Sequence, residues 1–173
     1  WGWFHGVMAI EHDFFGLLES GPDGSIFWSE NVEFADQSVT VDLTAPDQDD
    51  VSPAALDVAA SLISSLETID RIAREAMVSQ LSERTSEVTE YILQQQEELG
   101  EELEALLVDI SGDVHVDVIR SLQLVSMTIL ADEHGGGDPF AVLEYALDPD
   151  ATEEVLLVNL TSDGSVQSVT SAE

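Results

Sequence analysis

The chain has 173 residues, with 36 acidic against four basic side chains, no cysteine and a formal net charge of −32. That charge repels phosphates and anionic lipid surfaces, so nucleic acid and membranes are poor partners. The missing cysteine excludes disulfides, thiolate zinc sites and thiol nucleophiles.

Apolar residues make up 44% of the chain, which separates it from disordered acidic tails. One domain spanning residues 1–173 is the simplest organisation. No apolar run reaches the roughly 18 residues that a membrane span needs. The start, "WGWFHGVM", lacks the basic flank and apolar block of a signal peptide. Met8 is a candidate initiator, which would make residues 1–7 a non-native leader. A cytoplasmic address fits these features.

Residues 9–20, "AIEHDFFGLLES", read as a short helix or irregular lead-in, closed by the turn "GPDG". "SIFWSENVEF" and "SVTVDL" read as two strands of an N-terminal β-hairpin. In the second, Val39, Val41 and Leu43 alternate with polar residues. After the acidic loop "APDQDDVSP", Ser52 and Pro53 fit a helix N-cap and first-turn proline.

A helical stretch then runs to Gly100. Its apolar stripe passes through Leu62, Leu66, Ile69, Ala73, Leu81, Val88 and Tyr91. That length exceeds an ordinary globular helix. A break near 67–70 or 82–86, giving a helical pair, is therefore expected. "GEELEALLVDISG" adds a short helix.

The last third changes period. "LQLVSMTILA", "FAVLEYAL", "EVLLVNLT" and "SVQSVTS" form about four strands of an antiparallel meander. Asp163-Gly164 marks a hairpin between the last two. The fold class is α+β: hairpin, helices, then meander, with the two β regions in one sheet or packed together. The central strands are apolar on both faces, so cover for both is expected.

All four cations are arginines, and Arg71 and Arg74 share one helical turn. On a continuous helix Arg71 points to solvent, four residues after Glu67, and Arg74 lies on the flank, four after Asp70. Such pairs contribute only about 0.3–0.5 kcal/mol each. Arg84 falls inside the apolar stripe unless the helix breaks at 82–86 and releases it. Arg120 precedes the first strand of the meander.

Two acidic-histidine clusters are candidate divalent-metal ligands. In "DVHVDV", Asp113, His115 and Asp117 would share one face of a strand, though not of a helix. In "DEHGGGDP", Asp132, His134 and Asp138 sit on a glycine-rich connection with oxygen ligands for a hard cation. No other cofactor is implied. Gly135–Gly137 are not followed by the Lys-Ser/Thr of a phosphate loop. "DQDDVS" and "DPDATEE" lack the central glycine and terminal glutamate of a calcium loop. "EHDFFG" lacks the second histidine of a zinc protease. No G-x-S-x-G elbow is present, so no catalytic residue is assigned.

Phe15-Gly16-Leu17, Trp28, Val32 and Phe34 precede "VTVDL" at 39–43. After them come "LDVAASLISSLETIDRIAREAM", "EYI" at 90–92 and "FAVLEYALDPDATEEVLLVNLTSDGSVQSVTSAE". Over residues 14–173 this order of elements resembles a small bacterial family of domains of unknown function. The resemblance implies an α+β fold and carries over no catalytic residue. By analogy, similar small acidic bacterial proteins act as immunity partners of toxins. The expected function is non-enzymatic protein–protein binding, in a homodimer or with a cationic protein. A metal-binding protein or metal-dependent enzyme is the alternative, and salt adaptation is another source of the acidity.

Overall fold

The computed structural model describes residues 9–34, 37–47, 51–108, 110–131, 139–148 and 153–172. The fold is α+β. Residues 9–20 form a small hairpin, β1 (Ala9–His12) with β2 (Gly16–Glu19), in place of the expected helix or irregular lead-in. The spacing of Ile10, Phe14, Leu17 and Leu18 is compatible with a helix. Gly16, at φ 73°, instead lets the chain reverse tightly.

The sequence-derived hairpin is present as β3 (Ile26–Phe34) and β4 (Gln37–Ala45). It belongs to a six-stranded mixed sheet of order β3-β4-β5-β6-β7-β8. The later strands are β5 (Gln123–Leu130), β6 (Ala141–Ala146), β7 (Val155–Leu160) and β8 (Val166–Ala172). β4 pairs with β5 in parallel, and all other neighbours are antiparallel. A parallel pair needs a long crossover, and residues 53–121 supply it as helices.

The crossover holds α1 (Pro53–Ser64), α2 (Leu66–Ser79), α3 (Glu87–Leu99), α4 (Leu103–Leu106) and α5 (Val114–Ser121). Ser52 caps α1 by accepting from the Ala55 N–H at 3.0 Å, with Pro53 in the first turn. One break falls at Ser65, slightly earlier than expected, within a serine pair that competes for backbone hydrogen bonds. The second spans 80–86. There Ser86 caps α3, its hydroxyl donates to the Gln80 carbonyl at 2.9 Å, and Thr89 bonds the Glu83 carbonyl at 2.9 Å. Arg84 lies in this break and is exposed, as a break at 82–86 predicts.

The strand alternation sorts the sheet into two faces. Val41, Met127, Leu143, Val158 and Val169 form a buried row across β4–β8. They join Leu56, Ile69, Ala73, Met77 and Ile92 of the helices in one core. Each fully buried side chain of this size contributes about 1.5–3 kcal/mol. The small hairpin also sits on this side: Phe15 meets Trp28 edge-on at 4.8 Å, and His12 Nε2 bonds Asp57 of α1 at 2.8 Å.

The opposite face carries Thr40, Ser126, Glu144 and Leu157 in one row. Asp42, Thr128, Val142 and Asn159 form the next. All eight are only half-buried. The helices cover the first face, and this second one is only half-buried. Among the described residues this face is a mixed Ser/Thr/aliphatic surface.

The β7–β8 turn locks onto the helices. Gly164 is buried at φ +84°, and an added Cβ would lie 3.1 Å from Ile69 Cδ1 and 3.5 Å from Leu62 Cδ2. Gly164→Ala should therefore cost about 1–3 kcal/mol, combining left-handed strain with this close approach, as read from denaturant unfolding midpoints. An unchanged midpoint would contradict the packing of this turn.

Candidate functional site

The arginines come first because they are so few. Arg71, Arg74 and Arg120 line one surface depression of about 480 Å³, together with Asp70, Glu75, Val78 and Ile119. Arg71 pairs with Glu75 at 3.2 Å, rather than with the preceding Glu67, and both side chains are about two-thirds exposed (63% and 66%). Such a pair is worth little.

Arg74 differs. Its Nε donates to both oxygens of Asp70 at 3.0 and 3.1 Å. Nη1 donates to the Ile119 carbonyl at 2.7 Å and Nη2 to the Leu122 carbonyl at 2.8 Å. These carbonyls lie at and just past the C-terminus of α5, where a cation is favoured. The Tyr145 hydroxyl of β6 donates to Asp70 Oδ1 at 2.7 Å, and the guanidinium stands 5.2 Å from the Tyr145 ring centroid. Burial and the adjacent Asp70 carboxylate push the Tyr145 phenol well above its ordinary range, so it remains a donor. One cation thus joins α2, the end of α5 and β6. The sequence showed the Asp70–Arg74 spacing but not the carbonyls or Tyr145, which lie far away along the chain.

Asp113, His115 and Asp117 are not brought together on one face. Asp113 is the N-cap of α5, accepting from the Val116 N–H at 3.3 Å. His115 and Asp117 lie in the helix, where steps of two residues rotate side chains by about 200°. Asp117 is buried and accepts from Ser111 N at 2.9 Å and Ser111 Oγ at 2.7 Å. The Ser111 hydroxyl is the main cause holding its carboxyl below the usual range, and Arg120 adds to the effect. Among the described residues no group of three or more His, Asp or Glu is arranged for a metal ion. Asp132, His134 and Asp138 lie outside the described residues.

His12 has a structural position. Its Nδ1 accepts from the Phe14 N–H at 3.1 Å, which leaves Nε2 as the proton carrier facing Asp57.

A second depression, about 380 Å³, opens between α3 and the adjoining ends of β7 and β8. Glu90, Tyr91, Gln94, Glu154, Ser171 and Ala172 line it. Gln94 Nε2 donates to Glu154 Oε1, and the fully buried Gln95 donates from Nε2 to Glu154 Oε2 at 2.9 Å. Gln95 Oε1 has no hydrogen-bond partner among the described residues. Glu87 accepts from Ser171 N at 3.1 Å beside the cleft. Tyr91 accepts from the Leu147 N–H at 3.1 Å. Burial pushes its phenol up to about 12, with Glu154 and Glu98 adding to the shift. Two carboxylates, one of them oriented by the glutamine amides, beside a neutral phenol can receive a cationic head group. Sequence reasoning missed this cleft, because nothing marks Glu90 and Glu154 out from the other acids.

No helix among the described residues is long and apolar enough to cross a membrane. No family model, curated protein or solved structure matches this chain.

Arg74→Ala should cost about 3 kcal/mol, because it removes the cation from the partly buried Asp70 carboxylate, leaving it only the Tyr145 hydroxyl, and takes a charged donor from the Ile119 and Leu122 carbonyls. Arg71→Ala should stay within about 0.5 kcal/mol. Equal effects of the two substitutions on the unfolding midpoint would contradict the assigned roles.

Proposed function

We propose that this chain is a non-enzymatic cytoplasmic binding protein that docks on a cationic protein surface. The cleft between α3 and the β7–β8 ends receives a lysine or arginine side chain of that partner. The observation that carries the reading is how the charges are placed. Arg71 and Arg74 are each paired with a carboxylate on their own helix, and Glu90 and Glu154, the latter oriented by the Gln94 and Gln95 amides, both line an open cleft.

A net charge of −32 steers a basic partner over long range, and the cleft supplies a local contact with defined geometry. Glu154 is held by two glutamine amides, so it is positioned before a ligand arrives. A basic toxin face, the kind of partner suggested by analogy with small acidic immunity proteins, fits these requirements.

Calorimetric titration with an oligo-lysine peptide tests the reading. Replacing both cleft acids, Glu90→Gln with Glu154→Gln, should weaken binding about tenfold, or about 1.4 kcal/mol. Glu101→Gln with Glu104→Gln, both on the exposed face beyond α3, should leave it within about twofold. Binding of the native protein should weaken as salt rises. Equal losses for both pairs, at unchanged melting temperatures, would reduce the cleft to ordinary acidic surface.

A further inference from the structure

We infer that the outer edge of β3 is a strand-addition site, which takes an extended segment of a basic protein whose apolar and cationic side chains alternate. The site lies at the far end of the sheet from the cleft beside β8, and it shares with the cleft reading only the basic character of the partner.

The two ends of the sheet differ in protection. A bare strand edge presents a row of N–H and C=O groups to any extended chain, and proteins blunt it with bulges, proline, short strands, charges or a covering element. At the β8 end, α3 packs against the strand, and Glu87 takes the Ser171 N–H at 3.1 Å. The β7–β8 register is also interrupted between Asn159 and Leu160. β3 runs nine residues without proline, in unbroken register with β4 from Ile26↔Ala45 to Phe34↔Gln37. Ser20 bridges Ile26, and the small hairpin meets the start of β3 where Phe15 touches Trp28. Past that point, over residues 29–34, no described strand or helix pairs with the outer edge.

The side chains select the occupant. On the helix-covered side, β3 presents Trp28, Glu30 and Val32 beside Leu43, Val41 and Val39 of β4. Trp28 and Val32 are partly buried against the core, and Glu30 between them is exposed. A strand laid along the edge covers Trp28 and Val32 with apolar side chains and sets a cation against Glu30, the kind of cross-strand pairs that stabilise a sheet. Its pattern is therefore apolar, basic, apolar at alternate positions. A second copy of this chain fits worse. Full antiparallel overlap of two nine-residue β3 strands puts Glu30, their midpoint, opposite itself, between bodies that each carry −32. The carboxylate that opposes self-pairing thus favours a basic strand.

Calorimetric titration of the full chain with the capped peptide threonine-valine-threonine-lysine-threonine-valine-threonine tests the site. This peptide should bind about tenfold or more tighter than a scrambled peptide of the same composition. N-methylation of one alternate set of its amides should abolish binding, and methylation of the other set should change it by no more than about twofold, because an added strand pairs through alternate residues on one side. Glu30→Lys should weaken the lysine peptide about tenfold and strengthen its glutamate counterpart by a similar factor. Saturating oligo-lysine should leave the affinity within about twofold, so that failure of the cleft and failure of the edge are read separately. Indifference to residue order, or equal losses from the two methylated sets, overturns the inference without any variant having to fold. Competition by oligo-lysine assigns the peptide to the cleft and overturns it as well. A native chain that dimerises and tightens on Glu30→Gln gives the edge to a second copy, which also overturns it.

Discussion

The Arg74 guanidinium, held between Asp70, the last carbonyls of α5 and the Tyr145 ring, is the contact on which the arrangement of helices over sheet depends. α2 presents both members of the ion pair one turn apart. α5 ends against them, and β6 reaches them through a phenol. An apolar side chain could not do the same, because it would leave the Asp70 carboxylate without its cation and the Leu122 carbonyl without this donor. With the Asp70 and Arg74 side chains only 15% and 24% exposed, solvent screens the cluster less than it screens Arg71 and Glu75. A lysine at 74 would keep the charge but lose the planar fork that reaches carboxylate and carbonyls at once.

That interior use of a cation shapes the rest of the molecule. A body with a net charge of −32 is under self-repulsion throughout, and the continuous core must offset it. The carboxylates are not uniform in role. Asp23 and Asp163 accept from hydroxyls and backbone N–H groups in tight turns, and their carboxyls are lowered mainly by Ser25 and Thr161. Asp113 caps a helix and Asp117 anchors the loop before it. The lowered carboxyls favour the folded state above the ordinary aspartate range and lose that contribution as pH falls through their folded values. Glu90 and Glu154, by contrast, border a cleft. The outer sheet face sets Asp42 and Glu144 among Ser, Thr and aliphatic side chains.

Much of the fold was legible in the sequence because it rests on period and punctuation. The alternation of Val39, Val41 and Leu43, the Ser52-Pro53 start, the four final strands and the Asp163-Gly164 turn all appear where local pattern places them. What local pattern could not reach was pairing. Joining β4 to β5 in parallel depends on contacts some eighty residues apart. The 9–20 hairpin was hidden by apolar spacing that suits a helix equally well. "DVHVDV" alternates like a strand but opens on Asp113, whose capping geometry starts a helix. The cleft was illegible for a different reason. In a sequence crowded with acids, Glu90 and Glu154 gain meaning only when α3 is laid against β7 and β8.

The most direct measurement is a double-mutant cycle in denaturant between Asp70→Asn and Arg74→Met, run at low salt and at about 1 M salt. A partly buried structural clamp predicts a coupling of about 1–3 kcal/mol that survives the added salt. Additive effects, or a coupling that disappears with screening, would show an ordinary surface ion pair and contradict the claim that this arginine holds the helices to the sheet.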